Sequence, residues 1–451
     1  MKNLLKKMLP VWALDAYHRL LSWVAAVRFG YPSERLIVIG VTGTNGKSTT
    51  CNMIARVLEG SGHKVGLTTT ANFKIAEREW LNDKKMTMLG RFQLQRLLRD
   101  MVKAGCRYAV IETSSEGIRQ HRHRGINFDI AVFTNLTPEH IESHGGFENY
   151  KRAKGELFAK LSHDQRKTFA GAIVPKTIIV NAMDEHAGYF LNFLVDSKIG
   201  FAVPRTGNQA ITIKDESVSL LKAENVDINP TDSTWQVEGV NFALRLPGQF
   251  NLENAMAAVA VGQALGLKLE DMALALAELS GVPGRLEFID EGQSFTALVD
   301  YAPEPESFRK LYEVVDRLKK NRVIHVLGSC GGGRDISRRP ILGRLAAEKA
   351  QIVIVTNEDP YDDDPQEIIE DVAAGARACG LHDEQNLFAV PDRGEAIDRA
   401  VDLAEPGDLV LLTGKGCEQA IAVANGRKIP WDDRERLRQA IKRKLTAQSR
   451  V

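Results

Sequence analysis

Short apolar runs recur along the chain, and helical stretches separate them. The runs are Arg35–Gly40, Tyr108–Thr113 and Phe128–Thr134, then Phe295–Val299, Arg322–Leu327, Gln351–Thr356 and Asp408–Thr413. Short β-branched runs of this kind are typical of strands buried on both faces of a parallel sheet. The pattern therefore predicts an α/β protein, in which ligands bind outside the carboxyl ends of the strands.

The N-terminal segment, residues 1–36, contains an apolar-rich stretch that is too short and too charged to span a bilayer. Asp15, His18 and Arg19 interrupt the stretch from Val11 to Val27, and no convincing signal-peptide cleavage site follows. The spacing predicts an amphipathic helix with one broad apolar face formed by Trp12, Tyr17, Leu20, Trp23, Val24 and Val27. We expect this face to pack on the following domain. Peripheral contact with a membrane surface is the alternative, which basic residues and tryptophans favour.

Composition narrows the functional class. The 451 residues allow two or three domains, at about 150 residues per domain. Lys and Arg number 59 against 58 Asp and Glu, a balance that argues against a nucleic acid partner bound through bulk charge. The cysteines are scattered without a C-x-x-C pair, so we expect neither structural zinc nor a disulfide framework. A cytoplasmic location fits best.

One loop carries the strongest chemical signal. Gly43-Thr-Asn-Gly-Lys-Ser-Thr49 follows the first predicted strand and precedes a helix predicted from Asn52 to Glu59. In a phosphate-binding loop of this layout, backbone N–H groups face the phosphates, the lysine reaches the β/γ oxygens and the serine hydroxyl ligates Mg²⁺. Val41 stands where the strict motif has glycine, so a chance Gly-Lys-Ser is the alternative. Glu112, at a strand end, is placed to reach a metal, unless it forms an ordinary ion pair.

Further motifs, in order along the chain, resemble the Mur ligase family. They are Glu112–Ser115, Thr134–Thr137, Tyr150–Phe158, Leu246–Asn254, Pro283–Arg285, Val299–Ala302 and Gly414–Gly416. The resemblance runs from about Ile37 to the C-terminus and is strongest to the ligases that add the third residue of the peptidoglycan stem peptide. It implies a central P-loop-type ATPase domain over residues 37–285 and a C-terminal Rossmann-like amino-acid-binding domain over 286–451, after the short N-terminal helix.

The resemblance also implies a mechanism with ATP and Mg²⁺. ATP phosphorylates a carboxylate, and an amine attacks the acyl phosphate to form an amide. The implied catalytic residues are Lys47, Glu112, His140 and Lys154, and the implied metal ligands are Ser48, Glu112, His140 and a carbamylated Lys154. The implied ATP-binding residues are Gly43, Thr44, Asn45, Gly46, Lys47, Ser48, Thr49, Asn181, Asn254, Arg285 and Asp300. Without the family match, Lys154 would be interpreted as a surface lysine.

The acceptor site that the resemblance implies is only partly retained. Its residues are Thr87, Ser114, Gln120 and Arg122, but Thr87-Met-Leu89 and Ser115-Glu116 depart from the family pattern. The 36 residues before the first strand are too few for the independent uridine-binding domain of these ligases. Recognition of a nucleotide sugar is therefore an open question at this point.

The implied amino-acid site consists of Arg334, Asp359, Tyr361, Gly414 and Glu418. Diaminopimelate-adding ligases carry an arginine that meets the distal carboxylate, whereas Glu358-Asp-Pro-Tyr361 lacks it and Asp362-Asp-Asp364 follows. This favours lysine or another residue that is not diaminopimelate, although the aspartates could also be a solvated loop. Cys417 replaces a family histidine, and we expect a buried structural cysteine there.

The sequence thus predicts an ATP-dependent ligase that adds an amino acid to a cell-wall precursor of the UDP-muramyl-peptide kind, acting as a monomer. One alternative is a ligase of the same family with a non-nucleotide acceptor, such as a folate or a polypeptide. The other is a weakened, non-catalytic binding module, which Pro303, Glu304 and Cys417 favour because they replace family residues.

Overall fold

The computed structural model describes residues 11–138, 144–204, 211, 213 and 215–449. The chain divides into two compact units. Unit 1 runs to Ile228 and includes Asp232–Leu279, and unit 2 contains Asn229–Thr231 and the chain from Ser280 onwards. Arg285 therefore lies in unit 2, and the division into three segments at 36 and 285 stays a prediction.

Unit 1 is built on a large, mostly parallel sheet. The strands of the whole of unit 1 are β1 (Ile37–Thr42), β2 (Val65–Thr68), β3 (Asn72–Ile75), β4 (Arg78–Leu81), β5 (Tyr108–Glu112), β6 (Ile130–Phe133), β7 (Thr168–Phe169), β8 (Ala172–Ile173), β9 (Thr177–Asn181), β10 (Ser197–Ala202), β11 (Ser219–Lys222), β12 (Glu224–Ile228), β13 (Ser233–Val237) and β14 (Val240–Leu244). The sheet order is β11-β10-β9-β6-β1-β5-β2-β3-β4, with only β3 and β4 antiparallel to their neighbours. Because β1 pairs in parallel with β5 and β6, the carboxyl ends of these strands meet at one edge.

The helices of unit 1 cover the sheet. They are α1 (Val11–Phe29), α2 (Lys47–Gly60), α3 (Arg91–Lys103), α4 (Ser115–Arg119), α5 (Phe147–His163), α6 (Ala187–Leu191), α7 (Gln249–Ala264) and α8 (Leu269–Ala277). Helix α7 is buried on nearly every side, which explains its continuous run of Ala, Val and Met residues. None of the helices in the described part of the chain is long and apolar enough to cross a membrane.

Helix α1 confirms the predicted N-terminal helix, but the prediction of which face packs is wrong. Its small residues Ser22, Ala25 and Ala26 are buried, whereas Tyr17, Leu20 and Trp23 are 51%, 57% and 57% exposed. The small side chains let the helix approach α3 closely, so the larger apolar side chains point to solvent. The side chain of Trp12 lies outside the described residues.

A buried charge cluster fixes the start of β6 in the sheet. The Asp129 carboxylate pairs with the Lys167 ammonium at 2.5 Å and the Lys176 ammonium at 3.1 Å, and all three side chains are almost fully buried. Asp129 Oδ2 also accepts the backbone N–H of Val38 at 2.8 Å. The cluster therefore ties together three segments that are distant in sequence.

Unit 2 is a second α/β unit. Its strands are β15 (Glu287–Phe288), β16 (Thr296–Val299), β17 (Val323–Leu327), β18 (Ile352–Val355), β19 (Leu387–Ala389), β20 (Leu409–Leu412), β21 (Ala420–Val423) and β22 (Arg427–Pro430). Its helices are α9 (Pro305–Arg317), α10 (Arg338–Ala347), α11 (Pro365–Arg377), α12 (Arg393–Leu403) and α13 (Asp433–Gln448). The main sheet has the order β15-β16-β20-β17-β18-β19, and only β15 is antiparallel. Every predicted apolar run overlaps one strand, so the predicted α/β class is confirmed.

Candidate active site

The glycine-rich loop joins β1 directly to α2. The helix begins at Lys47, earlier than the predicted Asn52, so the lysine and serine belong to its first turn. Gly46 precedes it with φ 81°, and a Cβ at this position would lie 2.2 Å from Asn254 Oδ1. Only glycine fits there without moving Asn254. The loop can therefore bring backbone N–H groups close to an anion at the helix N-terminus.

Hydrogen bonds from distant segments hold this loop in place. The Thr44 N–H donates to Asn135 O at 2.8 Å, and the Asn45 N–H donates to Asn135 Oδ1 at 2.9 Å. The Thr134 hydroxyl donates to Asn45 O at 2.8 Å. Since these partners follow the end of β6, the sheet register positions the loop.

Glu112 lies beside the start of α2. The Ser48 hydroxyl donates to Glu112 Oε2 at 2.8 Å. Thr70 donates twice, from its N–H to Oε2 at 2.6 Å and from its hydroxyl to Oε1 at 3.0 Å. The Thr70 hydroxyl is also 2.9 Å from the Thr87 hydroxyl. The predicted metal ligands Ser48 and Glu112 are thus brought together, and Thr70 links them to predicted acceptor residue Thr87.

The chemistry of these groups fits ATP with Mg²⁺. The Lys47 ammonium donates to its own loop at Thr44 O, 2.6 Å away, from where it can move to a phosphate. The side-chain amide nitrogen of Asn45, Nδ2, is buried without a hydrogen-bond partner among the described residues. A serine hydroxyl and a carboxylate within 2.8 Å supply the hard oxygen ligands that Mg²⁺ takes beside phosphate oxygens. No cluster of three or more His, Cys, Asp or Glu residues suited to a metal occurs among the described residues, and His140 lies outside them.

Lys154 is a core residue, so its interpretation as a surface lysine is wrong. Its side chain is 1% exposed, and its ammonium donates to Gly43 O at 2.7 Å. The same nitrogen lies 4.4 Å from the centre of the Tyr150 ring. Lys154 therefore holds Gly43, the first glycine of the loop, through a hydrogen bond to its carbonyl. The carbamylation of Lys154 stays a prediction.

The two asparagines outside the loop that are assigned to ATP, Asn181 and Asn254, differ in position. Asn254 Oδ1 accepts the Thr50 hydroxyl at 3.1 Å, so Asn254 contacts the phosphate-loop helix. Asn181 ends β9, and its Oδ1 accepts the Met183 N–H at 3.0 Å. Among the described residues, no hydrogen bond joins Asn181 to the loop. Thr49, the last residue of the loop motif, is buried in α2.

The predicted acceptor residues of unit 1 form a second group. The Arg122 guanidinium donates to Gln120 Oε1 at 2.7 Å and to the carbonyl of Met88, next to Thr87. Burial lowers the pKa of Arg122. Ser114 instead caps α4, where its hydroxyl accepts the Gly117 N–H at 3.1 Å. Gln120 and Arg122 are thus joined to the Thr87 segment.

Helix α1 is packed against this acceptor group. The Ser22 hydroxyl donates to His121 O at 2.7 Å, and the His121 ring contacts the Asp15 carboxylate. Arg91 donates to Ser22 Oγ at 3.1 Å and to the Gln120 carbonyl.

The sequence analysis did not identify Arg91 and Thr70 as site residues. Thr70 ends the run Thr68-Thr-Thr70 after a buried strand, a position where polar residues of parallel sheets commonly meet ligands.

In unit 2, the two residues assigned to ATP flank Tyr301. Asp300 accepts the N–H groups of Leu286 and Ala302 at 2.8 and 2.7 Å, and burial raises its pKa. The Arg285 guanidinium lies 4.1 Å from the centre of the Tyr301 ring. Asp300 therefore fixes the backbone before β15 and after β16, and its contact with ATP stays a prediction.

The predicted amino-acid residues of unit 2 surround a lysine that sequence reasoning missed. The fully buried Lys415 ammonium pairs with Asp359 at 3.1 Å and with Glu418. Asp359 Oδ1 also accepts the Ala422 N–H at 2.7 Å. The motif Gly414-Lys-Gly416 contains this lysine, but the sequence analysis assigned only Gly414 to the site. Lys415 carries one positive charge against the two carboxylates, so the pair offers less negative charge to a substrate amine than the sequence indicates.

Gly414 and Tyr361 shape the same region of unit 2. Gly414 has φ 101°, and a Cβ there would lie 2.3 Å from Glu358 Oε2, so a larger residue would displace that carboxylate. Burial raises the pKa of Glu358 and raises that of Tyr361 to about 12. Arg334 is exposed. Tyr361 thus carries a neutral phenol at neutral pH.

The three aspartates that follow Tyr361 are exposed to solvent, as the alternative of a solvated loop predicts, and each also accepts a backbone N–H. Asp362 accepts the Asn425 N–H at 2.7 Å, and Asp363 accepts the Gly332 N–H at 3.0 Å. Asp364 caps α11 by accepting the Gln366 N–H at 2.9 Å. These contacts weaken the prediction that the acidic run selects a basic substrate.

Cys417 is buried, as expected for a structural cysteine. Burial raises the pKa of its thiol to about 11, so the thiol stays protonated and a poor nucleophile at neutral pH.

Comparison with known proteins identifies the family. Residues 41–262 match the Mur ligase middle domain, and residues 284–416 match the Mur ligase glutamate ligase domain. The UDP-N-acetylmuramyl-tripeptide synthetase of Roseiflexus sp. (strain RS-1) is 40% identical over 93% of this chain and 81% of its own length. The UDP-N-acetylmuramoyl-L-alanyl-D-glutamate--2,6-diaminopimelate ligase of Geobacillus kaustophilus (strain HTA426) is 36% identical over 96% of this chain and 84% of its own.

A solved structure agrees with these sequence matches. A UDP-N-acetylmuramoyl-L-alanyl-D-glutamate--2,6-diaminopimelate ligase superposes with a TM-score of 0.58 at 29% identity, covering 91% of this chain and 79% of that one. The predicted class, an ATP-dependent ligase that forms amide bonds, is confirmed. The chain belongs to the Mur ligase family.

Proposed function

We propose that this ligase joins an amino acid other than diaminopimelate, lysine foremost, to the terminal carboxylate of a UDP-muramyl dipeptide in the cytoplasm. The observation that carries the ligase chemistry is the hydrogen bond between Ser48 and Glu112 at the start of α2, beside Lys47. The relatives named above support the acceptor class. The neutral Tyr361 supports an amino acid without a distal carboxylate, because no fixed cation is supplied at that position.

Different residues of unit 1 have different roles in binding and activating ATP. The loop N–H groups and Lys47 would bind the phosphates and stabilise charge as the γ-phosphoryl group passes to the acceptor carboxylate. Mg²⁺, held by Ser48 and Glu112, would neutralise charge on the phosphate oxygens. Lys154 would keep Gly43 in place beneath the phosphates. The amino group then attacks the acyl phosphate, loses a proton and displaces phosphate.

Gln120 and Arg122 would orient the acceptor. Arg122 is half-buried and fixed by Met88 O and Gln120 Oε1, so its guanidinium presents a positioned charge to an anionic acceptor. Thr87 lies on the segment that it anchors, and Thr70 connects that segment to Glu112. The acceptor and metal groups are therefore mechanically coupled within unit 1.

The test is phosphate release from ATP and Mg²⁺ with UDP-N-acetylmuramoyl-L-alanyl-D-glutamate, comparing lysine, diaminopimelate and other amino acids, with the product identified by mass. We expect release that needs both substrates and is weakest with diaminopimelate. Ser48→Ala should abolish it, whereas Ser61→Ala, at the other end of α2, should not. Fastest release with diaminopimelate overturns the amino-acid assignment. If no phosphate is released with any amino acid although ATP still binds, the proposed acceptor is wrong.

A further inference from the structure

Helix α1 is apolar on two opposite sides, and only one is covered. Ser22, Ala25 and Ala26 face the rest of unit 1. The other side carries Tyr17, Leu20, Trp23, Val24 and Val27, each between 37% and 57% exposed. Spacings of three and four residues place these five side chains along one stripe, here called the outer face of α1. A contiguous exposed patch of large apolar side chains marks an interaction surface.

The charges around the outer face are positive. At the helical repeat, Arg19 falls beside Trp23 at one edge, and Arg28 lies at the other edge, in line with Tyr17 but about three turns further along the helix. Arg19 also pairs with Asp15 at 2.7 Å. In the sequence through residue 30, the cations Lys2, Lys6, Lys7, Arg19 and Arg28 stand against the single acid Asp15. An apolar stripe between cations, with Trp and Tyr in it, matches a helix lying at an anionic lipid–water interface.

We propose that the outer face of α1 binds the surface of an anionic membrane, with the helix lying in the interface. A second copy of the chain fits less well, because two such helices would bring their positive charges together. The stripe also spans fewer than the three to four heptads of a stable coiled coil. This goes beyond the ligase reaction and does not depend on which substrates unit 1 accepts.

The position of α1 gives this binding a role. Ser22 and Asp15 of α1 contact His121, in the segment with Gln120 and Arg122, and Arg91 of α3 donates to both Ser22 Oγ and the Gln120 carbonyl. A membrane-bound α1 would therefore hold the predicted acceptor residues next to the bilayer, within reach of substrates made or consumed there.

The experiment is cosedimentation of the full chain, without ATP or acceptor, with vesicles of phosphatidylglycerol and phosphatidylcholine or of phosphatidylcholine alone. We expect binding to the anionic vesicles that weakens as salt is raised. The variant L20A/W23A should lower the partition coefficient on the order of tenfold or more, because two apolar anchors are lost. The matched control is I173A/L194A, which removes exposed apolar side chains elsewhere in unit 1, 67% and 82% exposed.

Thermal unfolding of each variant checks that the fold is kept, since all four side chains are on the surface. Equal binding by L20A/W23A and the control, binding independent of lipid charge, or no binding at all overturns the proposal. Sedimentation equilibrium supplies a further test. A dimer that L20A/W23A converts to monomer would show that a second copy covers the outer face, and would also overturn it.

Discussion

The buried pair of lysines around Asp129 makes a quantitative prediction about stability. Asp129→Asn keeps the shape of the side chain but removes its charge, which leaves the Lys167 and Lys176 ammonium groups buried without a counter-charge. Loss of one partner of a buried ion pair costs about 3–5 kcal/mol of unfolding free energy. The lysines keep carbonyl acceptors, Leu36 O and Asn127 O for Lys167, so the fold should persist with reduced stability.

The loss of unfolding free energy in Asp129→Asn should depend on pH. Burial already lowers the pKa of Lys167, and the Asp129 carboxylate opposes that change. Without the carboxylate, the folded-state pKa falls further below the unfolded value, so the folded protein holds fewer protons than the unfolded chain. Stability of the variant is then lost as pH falls below the unfolded pKa of about 10.4 and recovers as pH rises through it. The deficit should be largest near pH ~7 and smaller near pH ~10.

Urea unfolding followed by tryptophan fluorescence measures this, because four of the five tryptophans, at positions 12, 23, 80 and 235, belong to unit 1. The control is Glu77→Gln, which removes an exposed pair with Lys64 and should leave stability nearly unchanged, because solvent screens such pairs. If Asp129→Asn costs no more than the control near pH ~7, the reasoning about buried charge is wrong. An equal deficit at both pH values would refute the account of the lysine protons.

Three further outcomes are expected. Glu112→Gln should remove the Mg²⁺ dependence of ATP binding and lower kcat on the order of a hundredfold, measured by ADP release; unchanged kcat would exclude a metal-holding role. Gly46→Ala should abolish ATP binding in equilibrium dialysis, because its Cβ would lie 2.2 Å from Asn254 Oδ1, and retained binding would show that the loop adapts. Burial lowers the pKa of His325 to about 3. The unfolded chain therefore takes up a proton that the fold does not, and stability should fall by about 1.4 kcal/mol per pH unit below pH ~6.5. His325→Gln should remove this contribution to the slope in thermal unfolding scans, while His123, whose pKa burial also lowers to about 3, keeps its own; an unchanged slope would assign it to other groups.

The sequence predicted features that depend on local pattern. β1, β5 and β6 follow from β-branched runs, and the phosphate loop follows from its glycines between a strand and a helix. Contacts between distant segments were not predictable in this way. Lys154 reaches Gly43 O only because α5 packs beneath the loop, and nothing in the local spacing distinguishes it from a surface lysine.

Lys415 and helix α1 show why side-chain roles could not be predicted from the sequence. Lys415 looks like a loop cation, but parallel pairing in unit 2 brings Asp359 next to it. On α1, hydrophobicity favoured the side with Leu20 and Trp23 as the packed one. The fold instead buries the side with Ala25 and Ala26, because small side chains allow close helix packing.

The long-range anchoring of the phosphate loop has a consequence for how the protein is made. Gly43 relies on Lys154, and Thr50 relies on Asn254, so the loop has its partners only after the ribosome has released residues far downstream. A nucleotide stabilises only the state that binds it. ATP therefore cannot assist the nascent chain until α7 has emerged, and until then the apolar surface that α7 covers on α2 must be protected by other means, such as chaperones.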